Sequence, residues 1–233
     1  MKKIITLLLA VVMVLSLAAC SSTNKQGEGS EESASNLPDH YVEARYFNAD
    51  GTLATVDHYS RQGHMLSDEV YDGGQIACYE EFRPTDAYTD LDVSEIEDNA
   101  DVASIDFREL FIRSGEDGSE FASANMVYVF GYDKNDRMNC SKVFIFNEDG
   151  SLQYDYLVKY DVDELGNFTG WTHTTDAGDV LFKMVAENTY DGEQLTGAVY
   201  HYTRYGHINV EDNNSFLPQD APTEYALTLE FDY

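Results

Sequence analysis

The sequence predicts an all-β fold, an antiparallel meander of hairpins forming a strongly twisted sheet or a partly open barrel, with a small insertion of helical character. Three observations predict it. A large, usually aromatic residue is followed four positions later by Gly and two beyond that by an apolar residue, and this spacing recurs along the chain. Between these landmarks apolar and polar residues alternate with period two. The chain also carries 12 Phe, 17 Tyr and 1 Trp, a supply of large side chains that builds cores and that disordered acidic chains lack.

The N-terminus stands apart from this pattern. Lys2 and Lys3 precede the apolar run Ile4–Leu15, after which Leu17-Ala18-Ala19-Cys20 follows at once. That run is shorter than the ~20 residues that span a bilayer, and small residues precede a cleavage point, so residues 1–19 read as an export signal peptide. Leu17-Ala18-Ala19-Cys20 resembles the lipobox of bacterial lipoproteins. The resemblance implies cleavage between Ala19 and Cys20 and a diacylglycerol thioether on Cys20. Two acyl chains at about 0.8 kcal/mol per buried methylene anchor a protein stably where one binds reversibly. Residues 20–37 then form the lipidated N-terminus and a tether. Ser21–Asn36 holds five serines and two glycines and no large apolar residue, a flexible chain reaching roughly 20–25 Å.

Residues 38–233 form the hairpin domain. The landmarks are Phe47-Gly51-Leu53, Tyr59-Gly63-Met65, Val70-Gly74-Ile76, Phe146-Gly150-Leu152 and Tyr202-Gly206-Ile208. Tyr132-Asp136-Met138, Thr174-Gly178-Val180 and Tyr160…Gly166-Phe168 are variants, and Tyr190-Asp191-Gly192 adds a related turn. Asn48-Ala49-Asp50-Gly51 and Asn147-Glu148-Asp149-Gly150 suit a type I turn followed by a left-handed residue, which glycine adopts without a Cβ penalty. Along one face of the segment after Gly150 lie Leu152, Tyr154, Tyr156, Val158 and Tyr160; Tyr225, Leu227, Leu229, Phe231 and Tyr233 repeat the pattern at the C-terminus.

Residues 84–126 lose the glycine rhythm and turn strongly acidic, marking an insertion or crossover between two hairpin blocks. Ser94-Glu95-Ile96-Glu97 reads as a capping box. Ser104, Phe107, Leu110, Phe111 and Gly115 fit a short capped helix, while alternation of Ile105, Phe107 and Phe111 allows a strand. His58–Met65 (HYSRQGHM) reads against His201–Ile208 (HYTRYGHI), as if the first and last hairpins shared one template. The Tyr-Asp and Asp-Gly turns resemble YD (Rhs-type) hairpin repeats of bacterial surfaces, at Tyr132-Asp133, Tyr160-Asp161…Gly166-Asn167 and Tyr190-Asp191-Gly192. Members of that family wind hairpins into curved sheets or shells that bind, display or enclose; here the units are too few and irregular for such a shell.

Charge excludes some partners. With 43 acidic residues against 14 basic the net charge is −29, which repels nucleic acid and anionic lipid or wall polymers and favours cationic partners. Beyond Cys20 the chain has only Cys78 and Cys140, which form either one disulfide or two separate buried thiols.

Motifs for chemistry are sparse. His58, His64, His201 and His207 flank the two matched segments, and six residues across a tight turn bring side chains within reach of one metal ion or anion. No third or fourth ligand follows by spacing, and a purely structural role for these imidazoles competes with metal binding. Asp161-Val162-Asp163-Glu164-Leu165-Gly166 begins like a calcium loop, but Leu165 and Thr172 occupy ligand positions. Tyr200, Tyr202, Tyr205 and Trp171 offer either a stacking face for sugars and peptides or ordinary sheet packing. There is no nucleophile elbow, zinc-protease helix motif, C-x-x-C, phosphate loop or dinucleotide fingerprint.

The expectation is therefore a lipid-anchored protein on the extracytoplasmic face of the cell membrane, held there through Cys20. Its domain is a non-enzymatic binding or interaction module for protein, peptide or glycan, with no cofactor and no nucleic-acid partner. The alternatives are a glycan-active hydrolase using an acidic pair, and a structural or metal-binding envelope lipoprotein.

Overall fold

The computed structural model describes residues 40–60, 64–114, 120–135, 137–175, 177–209 and 215–233. Twelve strands follow one another in chain order: β1 (Glu43–Phe47), β2 (Leu53–Tyr59), β3 (Met65–Asp72), β4 (Gln75–Pro84), β5 (Ser104–Ser114) and β6 (Glu120–Tyr132) come first. Then come β7 (Met138–Phe146), β8 (Leu152–Val162), β9 (Phe168–Thr174), β10 (Val180–Asp191), β11 (Gln194–Asn209) and β12 (Ser215–Asp232). Each pairs antiparallel with the next, and β1 pairs with β12 from Glu43↔Asp232 to Phe47↔Thr228. The meander predicted from sequence is thus a fully closed barrel. An even number of antiparallel strands places both chain ends of the barrel on one rim, called here the lower end.

Turn chemistry sets the hairpins. At Asn48–Thr52, Asn147–Ser151, Asp163–Asn167 and Thr175–Asp179 the first amide donates to the fifth carbonyl and the fourth amide to the first carbonyl. The fourth residue is a glycine with φ between 81° and 87°, the type I turn with a left-handed residue that the sequence predicts. The pairing register shifts by one beside each of these turns. Gly166 shows a second constraint besides its φ of 87°: a Cβ there would land on the Arg137 guanidinium. Arg137 Nη1 donates to the carbonyls of Asp163 and Glu164 at 3.3 and 3.4 Å, tying two lower-end turns together.

The inner face is the core. Tyr46, Tyr59, Phe82, Tyr128, Phe130, Tyr156, Tyr160, Phe168, Trp171, Tyr200, Tyr202, Leu229 and Phe231 are all buried in one cluster. The outer face carries Glu43, Arg45, His58, Glu69, Lys183, Glu187 and His201. Apolar inside and charged outside is the reverse of a lipid-facing barrel.

One outer patch is apolar and covered. The crossover from β4 to β5 contains α1 (Ser94–Glu97) and lies over β5–β8, where Val93 and Ile96 pack on Val127, Val129, Cys140 and Phe144. Gly131 permits the close approach, since a Cβ would stand 2.9 Å from Ile96 Cγ2 and 2.7 Å from Cys140 Sγ. Lys142 clamps the crossover: its Nζ lies 2.7 Å from Glu95 and 2.9 Å from Asp155. Burial works to lower the Lys142 pKa, but those two hydrogen-bonded carboxylates hold it above its ordinary value.

Three expectations are corrected here. Residues 104–114 are strand, not helix, because the crossover covers the outer side while Leu110 and Ile112 face the core, so both faces are apolar and the helical spacing is fortuitous. The capping box does not form: α1 has no side-chain cap, and Ser94 Oγ donates instead to Asp92 Oδ1 at 2.7 Å. Tyr202-Gly206-Ile208 is no hairpin but an irregularity inside β11, so His201–Ile208 and His58–Met65 occupy different structural settings.

Two substitutions separate backbone strain from the Arg137 contact. Gly150→Ala, with open space around it, should cost about 1 kcal/mol for its positive φ alone. Gly166→Ala should cost roughly 2–3 kcal/mol in denaturant unfolding, because it also displaces Arg137. In an Arg137→Ala background the excess should vanish; an undiminished excess would refute the contact.

Candidate functional site

The residues singled out from sequence scatter. Cys20 lies outside the described residues. His58 stands on the outer face of β2 with Glu43 at 3.7 Å and Glu69 at 3.6 Å. His64 is largely buried near Tyr132, and its Nδ1 accepts from Arg108 Nη2 at 2.8 Å, which requires that nitrogen to be unprotonated. His201 is half-exposed on the outer face of β11, 3.4 Å from Glu187, and His207 is exposed further along the same strand. β1 and β12 separate β2 from β11, and the registers put the two rows six residues apart along β12, at Asp232 for His58 and Ala226 for His201, so His58 and His201 are roughly 25 Å apart at ordinary strand spacing and rise. The four histidines do not converge, and among the described residues no group of three or more metal-binding side chains is assembled.

The calcium-like segment is an acidic turn. Asp163 Oδ1 accepts from the amides of Leu165 and Asn167 at 2.9 Å each, and Oδ2 accepts from the Tyr190 hydroxyl. Tyr200, Tyr202 and Trp171 are buried in the barrel, leaving only Tyr205 of that proposed stacking face exposed. Cys78 and Cys140 are separate free thiols, with β5 and β6 between their strands. Burial pushes both up, Cys78 to about 12, so neither is a ready nucleophile.

The interior holds a cluster that the sequence does not announce. Asp57, Asp68 and Glu80 face each other across β2, β3 and β4, in register Asp57↔Asp68 and Asp68↔Glu80. They are 3%, 0% and 2% exposed. Asp57 accepts from the Tyr59 hydroxyl at 2.9 Å and from the Tyr46 hydroxyl. Neither Asp68 oxygen, nor Glu80 Oε2, meets a donor among the described residues. Burial raises all three carboxyls, Asp57 and Glu80 to about 7 and Asp68 well above its usual range, where the neighbouring Glu80 charge adds to the effect. Burial and mutual repulsion favour a proton retained on the Asp68–Glu80 pair. Each group's place follows from strand parity, so hairpin registers laid out from the glycine turns would have revealed the row.

An accessible site lies at the upper end. A half-open cleft of ≈ 470 Å³ is floored by Tyr154, Tyr156, Leu181, Ile208 and Phe216, with Gln153, Asp155, Thr175 and Asp179 among its polar walls. Turn 175–179 places Ala177 and Asp179 on one lip, and the ends of β11 and β12 form the other. Behind Tyr156, the half-buried His173 ring packs at 3.8 Å between ring centroids, tilted by 32°; desolvation lowers its pKa to about 3. Volume, apolar floor and a few polar groups at a barrel mouth suit a small ligand or part of a larger one. Its walls come from β8, β10, β11, β12 and one turn, so no contiguous motif encodes it. No protein-family model and no curated protein matches the chain.

The acidic row gives a pH signature. A carboxyl whose pKa is raised on folding binds more protons in the folded state, so stability falls as pH climbs from the unfolded value through the folded one. For Glu80 that window runs from 4.5 to about 7. Glu80→Gln should therefore melt higher than the parent at pH 8 and nearly level with it at pH 5, measured by differential scanning calorimetry. Referring each variant to the parent at the same pH cancels the opposite trend from the half-buried His40 and His173, whose lowered pKa values cost stability on acidification. A pH-independent difference would rule out the raised carboxyl.

Proposed function

We propose that the chain is a lipid-anchored, extracytoplasmic binding module that offers the upper-end cleft to a ligand and performs no chemistry of its own. The observation that carries this reading is the placement of the cleft. The tether joins the barrel at its lower end, where Tyr41 packs on Tyr59, Phe231 and Tyr233, and the cleft opens at the opposite rim. A lipid on Cys20 would hold the lower end toward the membrane and turn the cleft outward. The charged outer wall suits an aqueous setting on every side.

The hydrolase alternative needs two carboxyls within reach of a substrate. The interior carboxyls Asp68 and Glu80 are sealed in the core at 0% and 2% exposure, and of the two carboxyls lining the cleft, Asp155 is held by Lys142. The metal-binding alternative draws no support from four histidines that point to different surroundings.

Two measurements test the proposal. In the native host, labelled palmitate should enter the chain and Cys20→Ser should abolish both labelling and membrane retention; retention of the serine variant without label would overturn the anchor. The full-length protein should also be screened against peptide and glycan libraries by thermal shift, with mass spectrometry of each mixture. Ligands at about 100 times Kd should stabilise it by about 2.7 kcal/mol and be recovered intact. Recovery of cleaved products would overturn the non-enzymatic reading.

A further inference from the structure

We propose that the ligand of the upper-end cleft is a cationic, amphipathic peptide segment that adds as a strand to the open edge of β11. This rests on the reading of the cleft as a binding site and assigns its ligand class.

The first argument is an unpaired backbone. β10 pairs with β11 only as far as Phe182↔Arg204, whereas β11 runs on to Asn209, paired with β12 alone from Gly206↔Pro218 to Asn209↔Ser215. On its β10 side, the stretch Gly206–Asn209 pairs with no strand among the described residues, the Gly206 carbonyl accepting from Arg204 Nε, and Ile208 from this stretch lines the cleft. Among the described residues the outer edge of β12 beyond Thr228 is unpaired as well, since β1 reaches only to Thr228. There, however, Pro218 and Pro222 remove two amide donors, the usual guard against strand addition. The β11 edge over the cleft has no proline. An open edge beside a pocket selects a peptide over a sugar, because main-chain amides and carbonyls of an extended peptide satisfy it while alternate side chains enter the pocket.

The second argument is apolar surface. Leu152, Val180, Tyr205 and Leu217 are 48%, 36%, 36% and 37% exposed, and all four sit at the upper ends of β8, β10, β11 and β12 around the cleft. Among the described residues the remaining exposed large apolar side chains are Leu66, Val185 and Tyr233, which lie elsewhere. Such local crowding on a chain of charge −29 marks a contact surface.

The third argument is charge. Asp179 on the cleft lip and Glu148 in the adjoining turn have no ion-pair partner among the described residues, and both are exposed. Of the basic side chains near the cleft, Lys159 and Lys183 lie on the outer faces of β8 and β10, and the other two are engaged. Lys142 is held by Glu95 and Asp155, and Arg204 lies over the Phe182 ring at 5.4 Å while Nε donates to the Gly206 carbonyl. A ligand bearing Lys or Arg completes the rim, and an anionic one is repelled by it.

The test uses the full-length chain in a neutral detergent, with detergent alone as the calorimetric reference. The probes are an alternating Lys–Val peptide of about ten residues, its Glu–Val counterpart, the Lys–Val peptide N-methylated at alternate amides, and a neutral chitin oligosaccharide. The Lys–Val peptide should bind, with the Glu–Val and N-methylated peptides at least about tenfold weaker. Ala177→Trp, an exposed position whose new side chain fills the cleft, should weaken Lys–Val binding about tenfold or more, and Asp179→Asn about fivefold at low salt. Equal affinity for the Glu–Val peptide overturns the proposal. So does Lys–Val binding that ignores both Ala177→Trp and N-methylation, which would be general attraction to an acidic surface. If the chitin oligosaccharide alone binds, sensitively to Ala177→Trp, the peptide assignment falls and the cleft reading stands. No binding of the Lys–Val peptide at millimolar concentration also overturns the assignment, whatever the library screen finds.

Discussion

A sheet with one apolar face and no second layer to cover it buries that face by curling until its first strand meets its last. The β1–β12 pairing is where this happens, and Arg45 reinforces it by reaching both Glu43 and Asp232. Closure removes the exposed edges of β1 and lower β12 and fixes the barrel at twelve strands. A ring of that size encloses more room than valine and leucine fill, and tyrosine fills it. Tyrosine brings a hydroxyl into the core, and a buried hydroxyl requires a partner. Ser141 meets Tyr160 at 2.9 Å, and Asp57 serves both Tyr46 and Tyr59. The interior carboxylate at Asp57 is thus a consequence of barrel size and aromatic filling.

Asp68 and Glu80 need a different account, since no described hydroxyl donates to the atoms they leave unsatisfied. Each stands opposite an acidic neighbour in the row, so retaining a proton turns two repelling acceptors into a donor and an acceptor. The close approach of β3 and β4 at this point therefore depends on one carboxyl staying neutral. Its cost in desolvation is met by the surrounding aromatic packing.

How much of this could be read beforehand depended on whether a feature was local. The turns at Gly51, Gly150, Gly166 and Gly178 were legible because a positive φ is written in one residue and its flanking Asn, Asp or Thr. The inward faces of β8 and β12 were legible because their outer faces keep enough polar residues, Gln153, Asp155, Lys159 and Asp161 on β8 and Thr228, Glu230 and Asp232 on β12, for alternation to survive. β5 was not, because the crossover makes Phe107 and Leu110 both apolar although they face opposite ways. The histidine match misled for a related reason. Similar letters at His58–Met65 and His201–Ile208 record a preference for aromatic and polar alternation, while the second stays strand because β12 pairs with it past Gly206. The cleft was beyond local reading altogether, since it needs the closed barrel to bring β8 beside the ends of β11 and β12.

The two rims are built to different ends. At the lower rim His40, Tyr41, Tyr59 and Phe231 stack together, Arg137 bridges neighbouring turns, and the crossover is clamped by Lys142. At the upper rim β11 and β12 overshoot β10 and β1, so strand lengths no longer match and backbone is left unpaired. Unmatched strands in a closed barrel expose edge that the fold itself does not need. Because the lower rim and the aromatic core already hold the barrel shut, that overshoot adds nothing to closure. The prolines on β12 guard one edge of the overshoot and leave the other open beside an apolar cleft. That asymmetry is hard to explain by folding alone and follows directly if the open edge is used for recognition.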